Sequence, residues 1–348
     1  MSPERIINSV APIRICDNGG WTDTWFAEHG KIFNIGVYPY VEVQIEVHPR
    51  EERHERIVLV AENYGDRYAI DKDKKEWIKH PLLEAAIQRM GIPEDSAVLI
   101  SIFSEVPAGC STGTSASVSV ALIGALSELT PTKLTPVEVA YRAHEIETNI
   151  LHQQSGIQDQ LCAAYGGVNY IQMDKYPHAS VSSIRVPDSV WWELERRLCL
   201  VYLGKPHVSS EIHERVIKEL EDRGPENRKI DNLRKTAEKA KDAIYCGDFV
   251  ALGKSMIENN EHQRALHSSL ICSEADQIFE VAKRFGASGW KVNGAGGEGG
   301  SITILSGPLM PQKREMIKAI ESLNSSFRNI PIYLSRFGLR VWSQSPDR

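Results

Sequence analysis

The chain has 348 residues, 42% of them hydrophobic and 25% charged, with a formal net charge of −6. That length predicts two domains, and the acidic balance with no long basic run argues against nucleic acid as a partner. The longest apolar stretch, around residues 120–126, is too short to span a bilayer, so no membrane partner is expected. The first fourteen residues lack an apolar signal segment, and the six cysteines are scattered without a CxxC pair. They read as reduced thiols in a cytoplasmic protein, with neither a disulfide framework nor a zinc site.

In chain order, β-branched runs predict strands over 32–37 and 41–47, separated by a Tyr-Pro-Tyr turn, then over 56–61 and 97–102. Helical patterns follow at 82–90, 115–129 and 136–151. Thr135 and Glu138 give the last of these a capping-box start. Gly166-Gly167 punctuates the chain before an expected strand over 168–173, and a linker is expected near Pro187. Amphipathic helices are expected over 209–223, 229–246, 249–266 and 273–285. The segment 288–304 reads as strand, glycine loop, strand, followed by a helix over 311–322 and short strands over 330–334 and 338–342. Mixed elements without regular βαβ alternation favour an α+β fold.

Four segments carry candidate chemistry. Residues 105–117 read Glu-Val-Pro-Ala-Gly-Cys-Ser-Thr-Gly-Thr-Ser-Ala-Ser and feed an apolar helix. Backbone N–H groups and the positive helix end meet there, which suits phosphate, although a tight turn before a core helix reads the same way. No Gly-Lys-[Ser/Thr] follows Gly109, so this is not a Walker loop. The segment 291–300 contains Gly294, Gly296 and Gly299 in GxGxxG spacing, but a strand-like run follows where a dinucleotide site needs a helix. It is either a loop approached closely by something or a flexible hairpin. Near the N-terminus, Arg14 on a strand leads into a glycine turn with Asp17, Gly20, Trp21, Thr22 and Asp23. Arg14 could face an anion, and Asp23 could accept sugar hydroxyls or form an Asx turn. Finally, Asp159 lies between apolar or uncharged neighbours, twelve residues after Glu147. A partly buried acid is paired, functional or capping a helix.

Together these segments resemble the GHMP kinases, the family of galactokinase, homoserine kinase, mevalonate kinase and phosphomevalonate kinase. Its second motif, Pro-x-Gly-x-Gly-Leu-Gly-Ser-Ser-Ala, is similar to Pro107, Ala108, Gly109, Cys110, Ser111, Thr112, Gly113, Thr114, Ser115 and Ala116. The first motif resembles the stretch from Arg14 to Asp23, and the third resembles Lys291 to Gly299. Ser111-Thr112 stands in place of Gly-Leu, Thr114 in place of the first Ser, and Glu298 in place of a Gly. The resemblance implies a two-domain fold, with a ribosomal-protein-S5-like domain over 1–187 and a ferredoxin-like α/β domain over 188–348. It implies ATP and Mg²⁺ as cofactors, ATP bound by residues 107–115, and Mg²⁺ held by Ser115 and Glu147. Asp159 would be the base, with Arg14 beside it stabilising developing charge.

Within the family, Gly19-Gly20-Trp21-Thr22-Asp23-Thr24 and Gln158-Asp159-Gln160 are similar to heptose 7-phosphate kinases and L-fucokinase domains. That implies a sugar or sugar phosphate as acceptor, contacted by Gly20, Trp21, Thr22, Asp23, Gly294, Gly296 and Gly297. Trp21 is expected to stack on the sugar. The resemblance is also compatible with a homodimer.

Overall fold

The computed structural model describes residues 2–71, 77, 79–206, 214, 216–218, 220, 224 and 227–345. Strand β1 (Arg5–Asn18) pairs antiparallel with the long β2 (Gly30–Pro49). β3 (Ile57–Ala61), β4 (Asp66–Ala69), α1 (Pro81–Met90) and β5 (Ser96–Ser104) follow, then α2 (Thr114–Ser127), α3 (Pro136–Glu145) and α4 (Gln158–Tyr165). β6 (Val168–Lys175) and β7 (His178–Ile184) end this half. β2 runs on where a Tyr-Pro-Tyr turn was expected. Pro12 pairs with Tyr40 and Ile13 with Val37, so Tyr38 and Pro39 bulge away from β1. Proline has no N–H for the ladder, and a bulge removes it without ending the strand.

The second half holds α5 (Asp188–Arg197), β8 (Leu198–Tyr202), α6 (Arg228–Tyr245), α7 (Phe249–Leu266), α8 (Ser273–Arg284), β9 (Gly289–Val292), β10 (Ser301–Leu305), α9 (Met310–Glu321) and β11 (Arg328–Ile330). The helix expected over 209–223 lies largely outside the described residues. Pro187, expected in a linker, directly precedes α5. β12 (Tyr333–Leu334) and β13 (Arg340–Gln344) then return to the first sheet, on β2 and β1 respectively.

Two sheets result. The first runs β13-β1-β2-β5-β3-β4, with β6 also on β2 and β7 on β6; the second runs β11-β8-β10-β9. The first sheet buries Ile7, Ile45, Leu59 and Ile100 against α1 to α4. Beyond it, Ile13, Ile15, Phe33 and Ile35 meet Ala237, Ala240 and Met256 of α6 and α7, and Leu200 of the second sheet. This shared apolar core is non-directional glue between the halves, and it brings β1 against the loop between β9 and β10.

Candidate active site

The loop from Glu105 to Gly113 joins β5 to the N-terminus of α2. Gly113 is the N-cap in a left-handed conformation (φ 68°), with no side-chain cap on the helix. Thr112 O accepts from Arg14 N at 2.9 Å, and Ser117 Oγ of α2 donates to Pro12 O at 2.7 Å, so β1 and the loop lie side by side. Ser111 Oγ is buried with no hydrogen-bond partner among the described residues. Ser115 is exposed on the first turn of α2, and Pro107, Ala108 and Gly109 are at least partly open. An uncapped helix start with an orphaned buried hydroxyl beside it suits an anionic oxygen.

Arg14 and Asp159 face each other as a bidentate pair. Nε donates to Oδ1 at 2.7 Å and Nη2 to Oδ2 at 3.1 Å, while Nη1 donates to Ser111 O at 2.5 Å. The Arg14 side chain is 5% exposed and that of Asp159 27%. Burial works against the guanidinium charge, yet Asp159 and Asp17 outweigh it and hold Arg14 above its ordinary value. One carboxylate face thus stays open beside a fixed cation.

Helix α4 organises the rest. Successive helical residues point about 100° apart, so Gln158, Asp159 and Gln160 serve three different partners. Gln158 N donates to Asp23 Oδ2 at 3.0 Å and its side-chain amide to Oδ1 at 3.4 Å. Gln160 Nε2 donates to Glu147 Oε2 at 2.9 Å, as does Ser155 Oγ at 2.7 Å. Glu147 sits in a single π-helical turn (Ile146–Ile150) that prolongs α3, a wider coil that often marks functional positions. Burial, with the charge of Asp159, lifts Glu147 from 4.5 to about 7 against its two hydrogen bonds. Burial likewise lifts Asp23 from 3.8 to about 6. Tyr176 pins the intervening loop: its hydroxyl donates to Ser155 O at 2.9 Å and lies 3.0 Å from His144 Nε2.

The glycine loop closes the third side. β10 follows it as an antiparallel strand, which removes the dinucleotide reading. Gly294 N donates to both Asp17 oxygens, at 3.2 and 3.1 Å, and Lys291 Nζ donates to Asp17 Oδ1 at 2.7 Å. Burial opposes the Asp17 charge, but Lys291 and Arg14 prevail and hold its carboxyl below the usual range. Asp17 reaches Lys291 because β1 bulges there, Ile15 pairing with Ile35 and Asn18 with Phe33. Gln263 Nε2 donates to Gly294 O at 2.9 Å, and Gly297 N to Leu270 O at 2.8 Å, with Gly296 between them. Glu298 is exposed.

The glycine turn after β1 is mostly inward-facing. Thr22 Oγ1 donates to Gly19 O at 2.8 Å, and Gly20 N donates to Asp17 O at 3.2 Å. Trp21 is only 6% exposed and packs with Phe26, Ala27, Leu233 and Leu270. The indole face expected to stack on a sugar is therefore covered by core. Sequence reading named Asp17 but gave it no role, since its partner lies 274 residues away, and it missed Ser155 and Tyr176, which carried no local pattern.

An uncapped helix start suited to an anion, an acid paired to a buried arginine and a second buried acid thus come together where two α+β halves meet. Residues 79–167 match the GHMP kinases N terminal domain and residues 232–329 the GHMP kinases C terminal domain. A D-glycero-alpha-D-manno-heptose 7-phosphate kinase of Campylobacter jejuni is 28% identical over 240 residues, covering 69% of each chain. A mevalonate kinase of Thermococcus sibiricus is 32% identical over 258 residues, covering 71% of this chain and 70% of that one. In fold, a D-glycero-D-manno-heptose 1-phosphate kinase structure from Bacteriodes thetaiotaomicron superposes with a TM-score of 0.75 at 22% identity, covering 97% of this chain and 98% of that one. The chain belongs to the GHMP kinase family and has its two-domain α+β fold. Among the described residues, no helix is long and apolar enough to cross a membrane.

Proposed function

We propose that the protein transfers the γ-phosphoryl group of ATP to a hydroxyl of a sugar or sugar phosphate, with D-glycero-D-manno-heptose 7-phosphate as first candidate. The observation that carries this reading is the bidentate Arg14–Asp159 pair against Ser111 of the phosphate-suited loop. Residues 107–115 receive the β- and γ-phosphates. Asp159 takes the proton as the acceptor oxygen bonds to the γ-phosphorus and the bond to the bridging oxygen of ADP breaks. Arg14 fixes the carboxylate and offsets charge that develops on the transferring group. Asp23 positions the acceptor end through α4.

For Mg²⁺ the donor set fits. Ser115 exposes a hydroxyl, and Glu147 Oε2 is held by two donors while Oε1 has none among the described residues. Among the described residues no cluster of three or more His, Cys, Asp or Glu could hold a metal ion by itself. A hard cation there therefore needs phosphate oxygens and water to complete its shell. When bound, it neutralises charge on the phosphate oxygens. The first half, 1–187, supplies the base and loop, and 188–348 supplies the glycine loop.

ADP release measured over free hexoses, L-fucose, heptoses, their phosphates and mevalonate tests the reading. A heptose phosphate with the highest kcat/KM supports it. L-Fucose in that place selects the free-sugar kinase alternative. Mevalonate, favoured by the 32% identical relative, would overturn the sugar reading, and the absence of ADP release with every acceptor would leave a silent sugar and nucleotide sensor.

A further inference from the structure

Four residues beyond the buried Trp21, the same turn presents a second indole outward. Trp25 opens the short 3-10 turn Trp25–Ala27 and is 42% exposed. It is not a loose surface residue. Its Nε1 donates to Gln154 Oε1 at 2.6 Å. Its ring also stands edge-on to Phe26, with centroids 5.8 Å apart at 89°, and Phe26 is itself buried in the cluster around Trp21. Gln154 belongs to the loop between Glu147 and Asp159. Its neighbour Ser155 donates to Glu147, and Gly156 packs against the Asp23 carboxylate. The indole is thus fixed at one end by the loop joining the two acids, and it lies two residues from Asp23.

We propose that Trp25 is the acceptor platform, one indole face packing on the apolar C–H face of a sugar ring. An aromatic face offers such a ring a large contact area, and ordering it costs little because Gln154 and Phe26 already hold it. This deepens the sugar-kinase reading and rests on it. An acyclic branched acid such as mevalonate has no ring face to present, so Trp25 also acts as a selector between acceptors.

The test uses the whole enzyme with heptose 7-phosphate, or with whichever sugar of the panel has the highest kcat/KM. Trp25→Ala should raise the acceptor KM about five- to tenfold, with kcat and the KM for ATP within about twofold of wild type. Trp25→Phe should recover most of the affinity, and Gln154→Ala should give a smaller rise. Titration calorimetry of acceptor into each variant without ATP should show the same order. An unchanged acceptor KM in Trp25→Ala, with wild type active on that sugar, overturns the platform alone. A wild type active on no sugar overturns the sugar-kinase reading and the platform with it.

Discussion

Asp159 gains its setting from Arg14, whose guanidinium binds both carboxylate oxygens in a fixed plane. Because the proposed base would act mainly in the transition state, Asp159→Asn should lower kcat by about 10² or more and leave ATP affinity nearly unchanged. Steady-state ADP release and ATP titration check this, and a variant keeping more than a tenth of wild-type kcat removes the role. Glu147→Gln takes an anionic oxygen from the proposed metal shell, so half-saturation by MgCl₂ should rise; identical curves would count against that role. Glu147 also has a pH signature. Its proton is held more tightly in the fold, from 4.5 to about 7, so its stabilising contribution is complete below about 4.5 and lost as pH rises through 7. Asp23, at about 6, adds in the same direction. Ligand-free wild type should therefore lose more melting temperature between pH 5 and pH 8 than Glu147→Gln does. Equal losses in the two proteins would show that Glu147 is not the titrating group.

At the scale of elements, α4 is the piece on which the others converge. No helix was expected there: the sequence singled out Asp159 only as an acid among apolar or uncharged neighbours. Which residue each side chain of its first turn would meet was not legible either, because Asp23 lies 135 positions away. Asp23 does the work of an N-cap from a distance, accepting the Gln158 N–H. Gly156 makes room for it: a Cβ there would sit 2.0 Å from Asp23 Oδ2. Gly156→Ala should push the carboxylate off its donor, costing about 0.5–2 kcal/mol for the lost cap and lowering kcat through displaced Asp159. Urea unfolding and kinetics read the two effects, and a variant with wild-type values in both would show that the loop yields freely. The capping box at Thr135 and Glu138 formed as expected, since both of its bonds are local. The π turn after Glu145 was not foreseen; it falls inside the helix expected over 136–151.

Across the whole molecule, Asp17 and Lys291 form a fully buried ion pair between β1 and β9. Lys291→Met should strand the carboxylate and cost about 3–5 kcal/mol, whereas adding Asp17→Asn should return part of it by removing the unpaired charge. Urea midpoints for the single and double variants decide this; a single variant as stable as wild type would mean the pair contributes nothing. Most helices and strands, the glycine loop with its following strand and the family itself were determined by the sequence alone, while β4, α4, β7, α5 and β8 were not expected. Hydrophobic period, turn residues and helix-start chemistry are local, and so they survive without coordinates. Tertiary structure decided that β2 passes unbroken through Pro39, that the last strands rejoin the first sheet, and which indole is buried. Trp21 and Trp25 are alike as letters. The packing of residues from Val216 to Ala295 against the N-terminal turn covers one and leaves the other open, because burial depends on what arrives from elsewhere in the chain.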